Sequence, residues 1–171
     1  TGVWTPTGST NIRRHGHSAV LLQDGKVLIF GGATDNTVPT TAEVYDPAIG
    51  TWSLTNSLAV GRGGLTSALL LSGKVLAIGG YDLSSYHDSV EVYDPATGVW
   101  STASSMSVAR VNANTVTLQD GKILTVGGLD NSNTALASAQ LYTEGSGTAT
   151  SNHAPVLSPI GNKTVNEGQT L

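Results

Sequence analysis

The chain has 171 residues, of which only 12% are charged, and a net charge of −4. Without a basic patch it offers no footprint for a nucleic acid. Without cysteine it excludes disulfides, thiolate metal sites and a cysteine nucleophile. No apolar run is long enough for a transmembrane helix.

The first element in chain order is Gly2-Val3-Trp4-Thr5. It matches Gly50-Thr51-Trp52-Ser53 and Gly98-Val99-Trp100-Ser101, so the tryptophans recur every 48 residues. Each is predicted to be a short outer strand. Residues 1–7 then read as the end of a repeat whose beginning is missing, with Thr1 following a cut or truncation. A linker with one arginine comes next. Arg14, Arg62 and Arg110 fall at the same point of the period. The runs Ser18–Leu22, Thr66–Leu70 and Asn114–Leu118 are apolar or small and nearly continuous. That pattern predicts strands buried on both faces.

Asp24-Gly25, Ser72-Gly73 and Asp120-Gly121 separate these runs from a second apolar set. Asp-Gly predicts a tight hairpin of type I′, with positive φ at both central residues. The second strands are Val27–Phe30, Val75–Ile78 and Ile123–Val126, and each ends in a glycine pair: Gly31-Gly32, Gly79-Gly80 and Gly127-Gly128. Glycine there permits unusual backbone angles and close approach of neighbouring chains. A phosphate-cradling role is not supported, because no helix and no Gly-x-Gly-x-x-Gly follow. Polar loops then lead to third strands at Ala42–Tyr45, Val90–Tyr93 and Ala139–Tyr142. The third loop is one residue longer, which places its tyrosine at Tyr142. Asp46-Pro47 and Asp94-Pro95 start turns toward the tryptophan strands, whereas the third copy has Thr143-Glu144 and then Ala149 where a tryptophan is due.

Four apolar residues, a double glycine, a tyrosine and a tryptophan seven positions later make a unit that resembles the kelch repeat. The resemblance covers about residues 1–143, with repeats at about 14–61, 62–109 and 110–143. It implies an all-β, kelch-type propeller fragment of three antiparallel blades, each four-stranded, with the first strand of each innermost. Residues 144–155 read as a Gly/Ser/Thr linker. Residues 156–171 resemble the opening of a bacterial immunoglobulin-like or cadherin-like module, too short to bury a core. Asn162-Lys163-Thr164 fits the glycosylation sequon, a weak three-residue match. The chain opens on an outer strand and ends without one, and three blades are fewer than the usual four or more. Missing blades are the favoured completion; two chains exchanging their Trp4 strands are the other. Left alone, the piece is expected to associate or to be marginally stable.

Among candidate binding residues, Arg14, Arg62 and Arg110 have two readings. They could ring one channel mouth and hold an anion, or pair with Glu43 and Glu91 inside the blades. The structural pairing is favoured, since a repeated position usually serves the repeat; the third repeat carries Gln140 in place of the glutamate. His15 and His17 alternate by two and so would share a face of a strand. Such a pair suits Zn or Cu, but a metal-free pair is the favoured reading and no cofactor is assigned. The loops carry Asp35, Asn36, Tyr81, Asp82, Tyr86, His87, Asp88, Asp130, Asn131 and Asn133. That mixture of rings and hydrogen-bonding groups suits a carbohydrate or a peptide, although solvated turns account for most of its members. The aspartates lack the spacing of a calcium loop. Tyr45, Tyr93, Trp52 and Trp100 read as blade packing rather than as a sugar platform.

The function expected from these features is a non-catalytic interaction module with a protein or carbohydrate partner, within a larger protein. Abundant Thr, Ser, Gly and Asn resembles bacterial secreted and surface proteins, and sets that localisation as an expectation. The alternative is part of a kelch-type enzyme, oxidase-like or sialic-acid-handling. Galactose-oxidase-like chemistry would need a tyrosine–cysteine cross-link, which a chain without cysteine cannot form within itself.

Overall fold

The structure is a computed structural model that describes residues 1–145. Eleven strands follow one another: β1 (His15–Leu21), β2 (Val27–Ala33), β3 (Ala42–Asp46), β4 (Thr51–Thr55), β5 (Thr66–Leu69), β6 (Val75–Ile78), β7 (Val90–Asp94), β8 (Val99–Ala103), β9 (Asn114–Thr117), β10 (Ile123–Val126) and β11 (Ala139–Tyr142). No helix is present among the described residues. The strands form three antiparallel sheets, β1-β2-β3-β4, β5-β6-β7-β8 and β9-β10-β11. Each sheet is one blade, as the 48-residue period predicts, but among the described residues the third blade has three strands and not the expected four. β5 lies beside both β1 and β9, so the first strand of each blade is the inner one.

Register follows the repeat. Tyr45 faces Trp52 across β3 and β4, and Tyr93 faces Trp100 across β7 and β8. Val27, Val75 and Ile123 face Tyr45, Tyr93 and Tyr142. The extra residue in the third loop therefore shifts Tyr142 in sequence and leaves the pairing intact.

The core sits between blades. Leu28, Phe30 and Ala42 of the first blade pack with Leu65, Val75, Ala77 and Tyr93 of the second. Ala68, Leu76, Ile78 and Val90 of the second pack with Ile123 of the third. Burying each large apolar side chain contributes about 1.5–3 kcal/mol, and here that energy couples neighbouring blades.

Three expectations are corrected. The inner strands are not buried on both faces: along β9 no residue is fully buried, whereas β6 is buried throughout. Inner strands face the axial space, which three blades leave open, and the second strands lie between blade faces. The hairpins are not type I′. The Leu22 C=O accepts from the Gly25 N–H at 3.0 Å, and the Leu22 N–H donates to the Lys26 C=O at 2.8 Å. Gly25 has φ +85°, and Asp24 is not left-handed. This is a three-residue loop with one left-handed glycine, and Asp24 turns its carboxylate to the Lys26 N–H. Finally, residues 1–10 form no strand, and Trp4 is 100% exposed. A strand needs a ladder of backbone bonds, and here only the Gly8 N–H reaches across, to the Gly50 C=O at 3.1 Å. The expected linker after 145 and the 156–171 module lie outside the described residues.

Candidate functional site

The β2–β3 loop and its counterparts, residues 34–41, 79–89 and 127–138, lie at the blade end where the inner strands begin. The linkers carrying the arginines arrive at the same end. The hairpins after Leu22, Leu70 and Leu118 lie at the other end.

The arginines are spent inside the blades. Arg14 Nη1 donates to the carbonyls of Gly31 and Thr41, both at 2.9 Å, and Nη2 donates to Thr41 Oγ1 at 3.1 Å and Glu43 Oε1 at 2.8 Å. Arg62 repeats this with Gly79, Ser89 and Glu91. Arg110 repeats it with Gly127 and Ser138. Arg62 and Arg110 are each 1% exposed, so they cannot present charge at the channel mouth. Burial lowers the pKa of Arg62 while Glu91 opposes that shift; Arg110 has the burial alone, since Gln140 replaces the carboxylate. Each glutamate also catches the incoming linker. Glu43 accepts from the Asn11 and Ile12 N–H groups, and Glu91 from the Ala59 N–H at 2.7 Å. Gln140 keeps this second task, accepting from the Ser107 N–H at 3.0 Å.

The glycine pairs seat the next blade. The Gly32 N–H donates to the Arg62 C=O at 2.7 Å, and the Gly80 N–H to the Arg110 C=O at 2.9 Å. A Cβ on Gly31 or Gly79 would stand 2.5 Å from the same carbonyls. Close approach, together with φ of +66° and +61°, requires glycine there.

Phe30 meets Trp100 of the next blade edge-on at 5.0 Å, and Tyr93 packs on the same indole at 5.0 Å. The indole Nε1 of Trp100 donates to the Asn56 C=O, and that of Trp52 to the Gly8 C=O. Phe30 and Trp100 thus join the first two blades, while Trp52 packs on Tyr45 of its own blade.

A family model described as the Kelch motif matches residues 62–107, and a second of the same description matches residues 13–59. The chain belongs to the kelch-repeat family. No curated protein matches it.

On these kelch blades, the remaining candidates sit at the loop end. His15 and His17 are exposed, and Gly16 between them has φ +59°. That conformation lies outside the strand region, so the shared-face rule does not transfer. Among the described residues no three His, Cys, Asp or Glu side chains gather to hold a metal. Burial, reinforced by the Arg14 cation, lowers the pKa of His17.

The loops of blades two and three are joined. The Tyr86 N–H donates to Asn131 Oδ1 at 2.8 Å, and its hydroxyl to Asn133 Oδ1 at 2.5 Å. Asn133 is left-handed at φ +56°, in a turn closed on the Asp130 carboxylate. Tyr81 lies 6.4 Å from Tyr86, and its ring covers Gly63, where a Cβ would meet it at 2.7 Å. His87 Nε2 lies 3.5 Å from Asp82 Oδ2. Hydrogen bonds from the Ser84 and Ser85 N–H groups, with His87 adding to them, hold the Asp82 carboxyl below its usual range. Asp35 is instead tied to Arg13 at 3.3 Å on the first blade, the Asn36 N–H donates to Thr34 Oγ1, and Asp88 is exposed. The cluster thus comprises Tyr81, Asp82, Tyr86, His87, Asp130, Asn131 and Asn133. Sequence reasoning named these residues but not their pairing, which joins loops 45–47 positions apart.

Proposed function

We propose that the chain is the blade portion of a protein-interaction module, and that its partner docks on the face built by residues 81–89 and 129–138. The observation that carries this is the cross-blade clasp of Tyr86 on Asn131 and Asn133. It fixes two polar loops on rigid strands while Tyr81 and Tyr86 stay partly exposed. Loops held by a rigid scaffold commonly carry recognition, and kelch repeats are generally protein-interaction modules. A peptide fits the mixture of tyrosine rings, amides and a carboxylate; a glycan would use the same groups. The Thr/Ser/Gly/Asn-rich composition supports placement in a secreted or surface protein.

A photo-crosslinking residue placed at Tyr81 or Asn131 should capture protein partners. The same residue at Asp24 or Asp94, on the hairpin end, should not. Equal capture from both ends refutes the docking face. Glycan-array binding without protein capture would assign the face to carbohydrate. Copper-dependent oxidation of galactose by the longer protein would instead favour the enzyme reading.

A further inference from the structure

The face built by the loops of blades two and three carries negative charge and no exposed cation. Resting on the reading that a protein docks there, we infer that the segment it takes is basic. An arginine or lysine of that segment lies across the Tyr81 and Tyr86 rings, with Asp82, Asp88 and Asp130 around it.

Charge divides between the two ends of the blades. At the hairpin end lysines recur with the repeat and meet carboxylates. Lys26 Nζ stands 3.1 Å from Asp46, Lys74 Nζ stands 3.2 Å from Asp94, and Lys122 pairs with Asp120. The loop end over blades two and three consists of residues 79–89, 104–113 and 127–138. Its carboxylates are Asp82, Asp88 and Asp130, and Arg110 is its one arginine or lysine. Arg110 is fully buried, held by the Gly127 and Ser138 carbonyls. Arg13 is exposed at the same end, but it belongs to the first blade and is tied to Asp35 there. The basic group beside these carboxylates is His87, whose Nε2 stands 3.5 Å from Asp82 Oδ2 without a hydrogen bond.

The repeat shows that the fold does not need this charge. Thr34, Asp82 and Asp130 stand 48 positions apart and open the same loop of their blades. Their N–H groups donate to the carbonyls of Thr37, Ser85 and Thr134 at 2.8, 3.0 and 3.0 Å. Thr34 Oγ1 accepts from the Asn36 and Thr37 N–H groups. Asp82 Oδ1 does the same for Ser84 and Ser85, and Asp130 Oδ1 for Ser132 and Thr134. A neutral hydroxyl thus closes the turn that a carboxylate closes, so the charge itself is surplus to the turn. Asp88 replaces Thr40 of the first blade and is exposed. Like charges held close without cations repel one another, and a cationic partner relieves that repulsion.

The rings supply the second half of the recognition. Tyr81 and Tyr86 lie 6.4 Å apart, with their planes inclined at 60°, and both are partly exposed. The fold sets their positions in advance. Tyr81 exchanges backbone bonds with Gly63, both at 2.8 Å, and Tyr86 is fixed at its N–H and its hydroxyl by Asn131 and Asn133. A guanidinium or ammonium over a ring face is attracted by the ring quadrupole, and arginine also stacks flat on it. Leu83, 77% exposed in the same loop, offers apolar contact to the stem of such a side chain. An acidic segment would meet the same carboxylates and be repelled.

Random peptides displayed on phage and selected on the full chain test this, at about pH 8, where histidine ordinarily carries no charge. Selected peptides should be enriched in arginine or lysine. Fluorescence anisotropy of synthetic copies should show binding weakened by roughly 3-fold to 100-fold in Asp82→Asn/Asp88→Asn/Asp130→Asn, the range for three exposed charge pairs together. Asparagine keeps each Oδ1 acceptor, so circular dichroism and Tm of this variant should be unchanged. Raising salt from about 50 mM to about 500 mM should weaken the natural chain more than the variant. Tyr81→Ala should weaken binding, and Asp24→Asn at the hairpin end should not. Peptides that depend on Tyr81, lack basic residues and bind the triple variant equally well overturn the basic partner and leave the docking face standing. Peptides indifferent to Tyr81→Ala and to the triple variant alike overturn both.

Discussion

Removing the Arg62 guanidinium should unfold the second blade's edge and, with it, the coupling of the first two blades. Arg62→Ala deletes four hydrogen bonds: to the carbonyls of Gly79 and Ser89, to Ser89 Oγ and to Glu91 Oε1. It leaves the Glu91 carboxylate 4% exposed with only the Ala59 N–H facing it. Breaking a buried pair in this way costs about 3–5 kcal/mol. Each kcal/mol shifts the melting temperature of a chain this size by about 2–4 °C, so Tm should fall by roughly 6–20 °C. Thermal unfolding followed by circular dichroism at two protein concentrations measures this and separates it from association. The double variant Arg62→Met/Glu91→Gln removes both charges, and should recover part of the loss, since no lone charge then remains. If Arg62→Ala shifts Tm by less than about 2 °C, and Glu91→Ala does the same, the buried clamp does not hold the blade and the reasoning fails.

Gln140→Glu gives the third blade the carboxylate that Arg110 lacks, and should raise stability by about 1 kcal/mol at neutral pH in urea melts. A loss of stability would show that desolvation of the new charge outweighs the pair. Burial pushes the Glu43 carboxyl up, but hydrogen bonds from Asn11, Arg14 and Ile12 outweigh it and hold the group below its usual range. A depressed folded-state pKa gives stability that is present above the unfolded value and lost as pH falls through the folded one. Stability should therefore fall below about pH 4.5, with a shallower slope in Glu43→Gln. His17 is also depressed, so it adds a loss of the same sign as pH falls below about 6.5, and His17→Asn should remove that part alone. Gly31→Ala should cost clearly more than Gly25→Ala. Both strain a left-handed residue by about 1–2 kcal/mol, but only at Gly31 would the new methyl press on the Arg62 carbonyl. Equal costs in chemical denaturation would contradict the close-packing argument.

The period of 48 residues determined the blades, their strand order and the role of most repeated residues, because each repeat solves the same packing problem. The pairing of Arg14 with Glu43 and of Arg62 with Glu91 was legible for that reason: a linker arginine and a third-strand glutamate recur at fixed phase, so they meet the same way in each blade. The turn geometry was less legible, since Asp-Gly serves either a two-residue or a three-residue loop and the phase of the flanking pairs decides between them. The left-handed series Gly16, Gly64 and Asn112 left a signal in residue type, being Gly, Gly and Asn. Only the placement of blades gave it meaning, as a line of bonds from blade to blade. Inner-strand burial was set by tertiary structure alone. A nearly continuous apolar run looks the same in sequence whether its outer neighbour is another blade or an open axis. Trp4 shows the same limit. Its own residues carry the outer-strand pattern, but a strand exists only when a second edge supplies its hydrogen bonds, and that edge belongs to whatever stands beside the first blade.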